Sequence, residues 1–348
     1  MALADFNPIA HFGEPAAEAR ACRTACALFD FSFLECARIE GGGTRQILET
    51  FAGRSLAALD IGKISYALRL NPDAEAVADL TIWRVAADCY EVMSGRREDI
   101  TDLVAFAEPT IAVNDVADRA TFALQGPDSL DVLRRLGRVD AIEPLPYFGF
   151  TDARIDGTVC RIGRLGYTGE AGFEIICARG EGAAIWQALG SYARPAGFVA
   201  MDMLRIEAGF ILFSNEFRLP VTSEEAGLGK FHPASSSTPP RVALVSFYAD
   251  ADRLDWPWRP GETPRRPAAP NEVVVTSACD SVVAGGILGL GYALWPSEPG
   301  AQLHDPSGTF HNIRQTSMPY YDPRKRRPRS PWRRARAQDP DAPQSAAR

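Results

Sequence analysis

The stretch RLGYTGEAGFEI, Arg164 to Ile175, sets three glycines at every third position around one tyrosine and two glutamates. No amphipathic helix would choose that spacing. Glycine is favourable only where φ must be positive or where another group must come close. The segments on either side, Thr158–Gly163 and Gly172–Cys177, alternate like strands. The stretch therefore reads as a glycine-rich hairpin that brings Tyr167, Glu170 and Glu174 to one end of a sheet. The residues alone also leave open a surface hairpin with solvated acids, the commoner place for glutamate.

At 348 residues, 46% of them apolar, the chain has room for two or three globular domains. It holds no run of about 18 uncharged apolar residues, so no membrane span is expected. The start, MALADFNPIAHFGE, carries acids early and lacks an apolar stretch, so a secretory signal is not expected either, and a cytoplasmic protein is. Seven scattered cysteines suit reduced core positions better than a disulfide framework. Cys22 and Cys26 lie one helical turn apart, but neither a CxxC nor a nearby histidine accompanies them. The four histidines form no HExxH pattern, so metal chemistry and a histidine-based triad are disfavoured.

From Pro319 onward there are nine Arg/Lys against three Asp, which leaves 28 basic and 41 acidic side chains in the body, a net near −13. An acidic body is poor equipment for gripping phosphate backbones, so nucleic acid is not expected as a partner. The basic tail, residues 319–348, has no periodicity and is expected to be disordered.

Along the chain, Glu18–Leu28 reads as a helix, Cys36–Glu40 as a strand and Arg45–Phe51 as a helix. Tyr66–Leu70, Leu80–Val85 and Tyr90–Met93 read as strands, and Thr101–Phe106 as a short helix. Ala120–Leu124 is a buried strand that Gln125-Gly126-Pro127 stops before a helix over Asp128–Leu136. Glu181–Tyr192 and Ala200–Ala208 are helical. Beyond a loop at residues 233–240, Arg241–Tyr248, Val273–Ser277 and Ile287–Leu294 are short strands suited to a barrel or sandwich. The expected class is α+β.

RLGYTGEAGFEI, FALQGPDSL (Phe122–Leu130) and LRIEAG (Leu204–Gly209) together resemble the glycine-cleavage T-protein family of folate-dependent aminomethyltransferases and their demethylating relatives. The likeness extends to Glu18, Arg23 and Leu28–Ser32, to Tyr66 through Asn71, to Pro144–Phe148, and to Val275–Ser277 with Gly289–Tyr292. These motifs run in family order from residue 18 to about 294. The resemblance implies a cloverleaf of two mixed α/β folate-binding domains plus a C-terminal β-barrel around a tetrahydrofolate cavity. Residues 1–230 would form the folate-binding region, 231–240 a linker, 241–318 the barrel and 319–348 the tail.

By the same resemblance the second glutamate of the hairpin, Glu174, binds the pterin. A carboxylate offers two acceptors to the ring's adjacent N–H and amine donors. Gly166, Gly169 and Gly172 would let the ring approach the backbone, with Tyr167 and Tyr66 lining the pocket, while Glu170 supports the turn. The family's reacting aspartate matches Asp79 in Leu70–Leu80, where a carboxylate near the folate nitrogens can orient the cofactor or take a proton. Taken alone, Asp79 also fits an ordinary strand-start aspartate. Asp79-Leu-Thr-Ile is similar to the folate-binding halves of dimethylglycine and sarcosine oxidising enzymes.

Several positions depart from the family pattern. Met201 stands where T-proteins usually carry an arginine that contacts an anionic group, and methionine cannot imitate that clamp. Ala74 and Glu75 replace a glycine pair, Ala78 replaces an aspartate, and Ser94 or Gly95 an asparagine. Arg205 and Glu207 remain, expected to join in an ion-paired network behind the cavity wall. The leading expectation is a tetrahydrofolate-dependent one-carbon transferase or demethylase acting on a small methylated donor. An aminomethyltransferase of a glycine-cleavage system is the second. Partners would then be the small-molecule donor and a carrier protein or oxidase subunit. A non-catalytic folate binder, or a member that folds but binds nothing, stays open.

Overall fold

A computed structural model describes residues 8–107, 111–232, 239–251, 258–259, 261 and 265–332. The chain opens with α1 (Pro15–Thr24), capped by the Glu14 carboxylate, and β1 (Ala27–Asp30). Then come β2 (Glu35–Glu40), α2 (Thr44–Ala52), β3 (Ile64–Leu70), β4 (Ala76–Ala86), β5 (Cys89–Ser94), α3 (Arg97–Phe106) and β6 (Ala112–Asp115). They are followed by β7 (Arg119–Gln125), α4 (Ser129–Leu136), β8 (Phe150–Ile155), β9 (Thr158–Gly163) and β10 (Gly172–Ala178). After these lie α5 (Gly182–Gly190), β11 (Arg194–Pro195), α6 (Phe198–Glu207) and the single turn α7 (Phe213–Glu216). The last strands are β12 (Val242–Asp250), β13 (Val273–Ser281), β14 (Gly286–Leu294) and β15 (His311–Thr316). The helix expected over Glu18–Leu28 ends at Thr24, because Ala27–Asp30 is recruited as a strand by β7 on one side and β11 on the other.

Among the described residues the strands form three sheets, ordered β3-β4-β5-β2-β6, β11-β1-β7-β10-β9-β8 and β13-β14-β12-β15. Period-two alternation decides how the first two sheets face each other. In β4, Ala78, Leu80 and Ile82 turn one way, and Leu80 and Ile82 pack with Leu48 and Phe51 of α2; Asp79, Thr81 and Trp83 turn the other. In β10, Phe173, Ile175 and Cys177 pack under α4 and α5, which leaves Glu174 and Ile176 on the opposite face. Trp83, Met93, Leu165 and Ile176 share one apolar cluster, so the two outward faces meet. Gly163, paired with Glu174, keeps the contact open: a Cβ there would come within 2.3 Å of the Trp83 ring. Every residue of α6 is buried, and the helix lies between the second sheet and the third.

The C-terminal barrel expected over 241–318 is an open four-stranded antiparallel sheet. Between its edges, β13 and β15, runs the segment 300–304, which bridges Arg314 through Gln302 and Glu272 through His304 without forming a strand of its own, and α6 covers one face of the sheet. The disorder expected from Pro319 fails over the first half of the tail. Tyr321 is buried, the Arg23 guanidinium stacks 3.7 Å above its ring, and Trp332 stacks on Phe173 at 4.9 Å. Aromatic rings and stacked guanidiniums bury well without a hydrophobic run, so a basic composition concealed a packed strap. The rest of the tail, residues 333–348, lies outside the described residues, as does 233–238 of the expected linker. All seven cysteines are unpaired and buried.

Candidate active site

The outward faces of the first two sheets do not close completely. Between them lies a cavity of about 700 Å³, within the usual range for a small-molecule or cofactor site. Its walls are the β3–β5 face, the glycine hairpin, residues 208–213 after α6, residues 227–231, and the strap through Tyr321 and Arg329.

Asp79 sits on the cavity face of β4, half-buried. Register places it opposite Leu68, one step diagonal from Tyr66 on β3, whose hydroxyl hydrogen-bonds to it. Burial pushes the Asp79 carboxyl up to about 6; the Tyr66 hydroxyl pulls back, and the buried Asp99 carboxylate adds to the rise. The Tyr66 phenol is itself held well above its ordinary value, first by burial and then by Asp79. Its ring meets Phe231 edge-on at 4.7 Å.

Glu174 enters the cavity from β10 and is 7% exposed. Among the described residues its carboxylate has no hydrogen-bond or ion-pair partner, and burial alone pushes it up to about 7. A buried acid with no donor against it leaves its desolvation uncompensated, unless a ligand supplies the donors. The nearby Tyr147 phenol is raised to about 12 by burial, with Glu174 contributing.

The hairpin glycines serve packing more than ligand approach. A Cβ on Gly166 would meet the Gln125 amide at 1.9 Å, and one on Gly172 would meet the same amide and the Leu124 carbonyl. Gly169 adopts φ +80° and lies against Ala208, which caps the C-terminus of α6. Gln125 braces the hairpin: its amide donates to the carbonyls of Leu165 (3.1 Å) and Phe173 (3.3 Å), and it accepts from Thr168 at 2.9 Å. Gly166 and Gly169 line the cavity, whereas Gly172 lies off its lining. Tyr167 lines it too, stacked on Phe210 at 5.8 Å and donating its hydroxyl to the Ile211 carbonyl.

Glu170, read from sequence as support for the turn, also bolts the hairpin to distant parts of the chain. It accepts from Arg23 at 3.3 Å and from the Tyr321 hydroxyl. Arg23 spans the junction, donating to Glu207 at 2.7 Å and to the Thr168 carbonyl at 2.7 Å. Arg205 and Glu207 belong to separate networks rather than one. Arg205 binds Asp202 and Glu216, each at 2.9 Å, and Ser277, while Glu207 binds Arg23 and Ser281. Ala74 takes φ +63°, the conformation a glycine would have supplied, and the Asn71 side-chain oxygen Oδ1 accepts from the Asp73 and Glu75 backbone amides to hold that loop.

The geometry thus gathers Asp79, Tyr66, Glu174, Tyr167, Gly166 and Gly169 around one hollow. The family described as the GCVT N-terminal domain matches residues 5–234. The chain belongs to the GCVT family. Aminomethyltransferase from Saccharopolyspora erythraea is 28% identical to this GCVT protein over 340 residues, 90% of this chain and 91% of that relative. Aminomethyltransferase from Chlorobaculum parvum is 33% identical over 257 residues, 67% of this chain and 70% of the other. Glycine cleavage system aminomethyltransferase T from Bartonella henselae superposes with a TM-score of 0.72 at 24% identity, covering 88% of this chain and 90% of that one. That last likeness establishes a T-protein-like fold for this GCVT protein.

Sequence reasoning missed the strap as a cavity wall, and with it Tyr321, Lys325 and Arg329. It also missed Phe231, Tyr147, Arg54 and Lys230 in the lining. The aromatic pair Tyr320-Tyr321 just ahead of the basic run was the one signal available, since adjacent rings mark a segment with something to pack against.

Proposed function

We propose that this protein transfers a one-carbon unit to tetrahydrofolate, with the pterin edge on Glu174 and the reacting nitrogen near Asp79. The observation that supports this most is the Glu174 carboxylate, buried, without a donor among the described residues, and facing the same cavity as Asp79. A reduced pterin carries an N–H and an amine side by side, the donor pair such a carboxylate lacks. When bound, tetrahydrofolate supplies a nucleophilic nitrogen that accepts the carbon unit.

The chain's own residues do the rest. Glu174, once paired with donors, is held ionised and fixes the plane of the ring. Asp79, at about 6, is ionised at neutral pH yet basic enough to receive a proton from a nitrogen losing charge, and Tyr66 steadies it by donating to the carboxylate. Tyr167, locked by its bond to Ile211 and its stack on Phe210, offers a fixed flat surface. The names of the relatives favour an aminomethyl group as the unit transferred, and a carrier protein that delivers it is part of this proposal. A small methylated donor, alone or passed on by an oxidase subunit, is the other reading, favoured by Met201 in the lining where an arginine would grip an anionic donor.

Two measurements test this. Titration with tetrahydrofolate should saturate the native protein and fail with Glu174→Ala; absence of binding to the native protein removes the proposal. Incubation with tetrahydrofolate and a panel of methylated and aminomethylated donors, followed by quantification of methyl- and methylene-folate, identifies the carbon unit. No product from any donor would leave a binder without catalysis.

A further inference from the structure

Seven cysteines are scattered along the chain, yet the fold sets two of them side by side. Strands β9 and β10 run antiparallel, with Glu174 opposite Gly163, Ile175 opposite Ile162 and Ile176 opposite Arg161. One more step in that register brings Cys177 against Cys160. Directly opposed residues of an antiparallel pair have Cα atoms about 4.5–5.5 Å apart, inside the span a disulfide bridges. Both side chains turn into the apolar cluster under α4 and α5, and their thiols share a hydrogen bond. Ala153 lies opposite Cys160 on β8 and Ala120 opposite Cys177 on β7, so the neighbouring strands set only methyl groups beside the sulfurs. Among the described residues no other two cysteines oppose each other across strands: Cys36 lies opposite Met93, Cys89 opposite Glu40 and Cys279 opposite Leu288. The hydrogen bond from Cys160 holds the Cys177 thiol below its ordinary value, against burial and the Glu181 carboxylate, while the same bond and then burial push Cys160 well above. The Cys160 thiol has the Thr158 carbonyl as its other acceptor, at 3.6 Å. Cys177 is thus the readier nucleophile of the two. Cys160 is 1% and Cys177 4% exposed, but the next pair outward, Val159 and Ala178, is exposed, so both sulfurs lie one residue inside the rim of the sheet.

We propose that Cys160 and Cys177 form an oxidative modification site, at which hydrogen peroxide makes a disulfide that clasps the glycine hairpin. The Cys177 sulfur attacks one peroxide oxygen: an S–O bond forms, the O–O bond breaks, and the departing hydroxide leaves with the thiol proton as water. The Cys160 sulfur then attacks the Cys177 sulfur, the S–O bond breaks, and the second hydroxide takes the Cys160 proton. Two thiols lose two electrons and the peroxide becomes two waters. Peroxide is little larger than water, which suits a pair one residue inside the surface. The link closes a loop that contains Tyr167, Glu170 and Glu174, and it lies on the face of β10 opposite Glu174. The clasp therefore fastens the hairpin from behind without entering the cavity, and it acts whether or not the folate proposal holds.

The test treats the full chain with hydrogen peroxide or with dithiothreitol, then alkylates it in urea and maps its peptides by mass. Oxidised protein should yield one linked pair, Cys160 to Cys177, two hydrogens lighter than the separate peptides, with the other five cysteines alkylated. In urea titration the linked protein should have a folding equilibrium about a hundredfold more favourable, because the closed loop constrains the unfolded chain, and dithiothreitol should cancel the gain. Cys160→Ala should leave Cys177 as a sulfenic acid that dimedone traps, and Cys177→Ala should leave Cys160 a thiol. Oxidation of other cysteines while this pair still alkylates would overturn the proposal, as would a link that forms only once urea has unfolded the chain. A link that forms without raising stability would overturn the clasp, since strain would then cancel the constraint. Where an alanine variant fails to fold, peptide mapping of the native protein still decides.

Discussion

Glutamate 174 makes the ligand-free protein carry an acid that folding disfavours, and neutralising it should show this directly. Its carboxyl stands at about 7 against an ordinary value of 4.5, because burial removes water and no donor among the described residues replaces it. An acid raised on folding costs nothing below its unfolded value, where it is protonated in both states. As pH rises from 4.5 to 7 the unfolded chain ionises first, and folding loses free energy throughout that interval. Above 7 the loss is complete, with a ceiling of about 3 kcal/mol at roughly 1.4 kcal/mol per tenfold change. The carboxylate opens onto the cavity, where water enters, so an observed value of about 1–3 kcal/mol is expected. Urea unfolding of the native protein and of Glu174→Gln at pH 4.5, 6 and 8 measures it. The variant should match the native protein at pH 4.5 and exceed it at pH 8. Its tetrahydrofolate affinity should fall in the same preparation, since an amide presents a donor where two acceptors are needed. Native binding near pH 7 should release a fraction of a proton, visible as a buffer-dependent calorimetric heat that Glu174→Gln abolishes. A variant no more stable than the native protein at pH 8 would refute the unpaired-acid account, whatever its effect on binding.

Turnover should rise with pH through about 6 as Asp79 ionises, and Asp79→Asn should flatten that limb and lower kcat by about 10²–10⁴ while leaving tetrahydrofolate affinity within a few-fold; full turnover in the variant would exclude proton transfer by this residue. Arg205→Met should destabilise by about 3–5 kcal/mol in urea unfolding, because it strands Asp202 and Glu216 without their cation; a loss under 1 kcal/mol would mean the network relaxes onto water. Ala74→Gly should stabilise by about 0.5–1 kcal/mol by relieving a left-handed alanine, net of glycine's greater unfolded entropy, and a thermal midpoint that falls instead would show the Asn71 bonds already offset the strain.

What could be read from the sequence followed from local rules. The Gly166/Gly169/Gly172 spacing marked a hairpin between two alternating strands, and in the structure that alternation sets Glu174 opposite the core residues Phe173 and Ile175. The family motifs then supplied Asp79, and structure placed both acids on one cavity. Long-range pairing was beyond such rules. Nothing near Gly172 announces that Gln125 needs its space, and nothing near Glu170 announces Arg23 and Tyr321, which lie 147 and 151 residues away. Composition misled most at the strap, where charge density implied solvent and stacked rings decided otherwise. The open third sheet shows the same limit: strand spacing announces strands, while closure depends on edges such as β13 and β15 meeting in space. No described helix is long and apolar enough to cross a membrane.

The strap also carries a consequence for how the protein is made. Residues that emerge from the ribosome after all three sheets supply one side of a hollow whose other sides are set by residues 31–231. A chain interrupted before position 319 would present an open trough, with Arg23 uncovered and Glu170 missing its phenol. On the proposed function, ligand retention would report that synthesis has passed the strap, and a proteolytic nick between Met318 and Tyr321 should release bound ligand before it unfolds anything else.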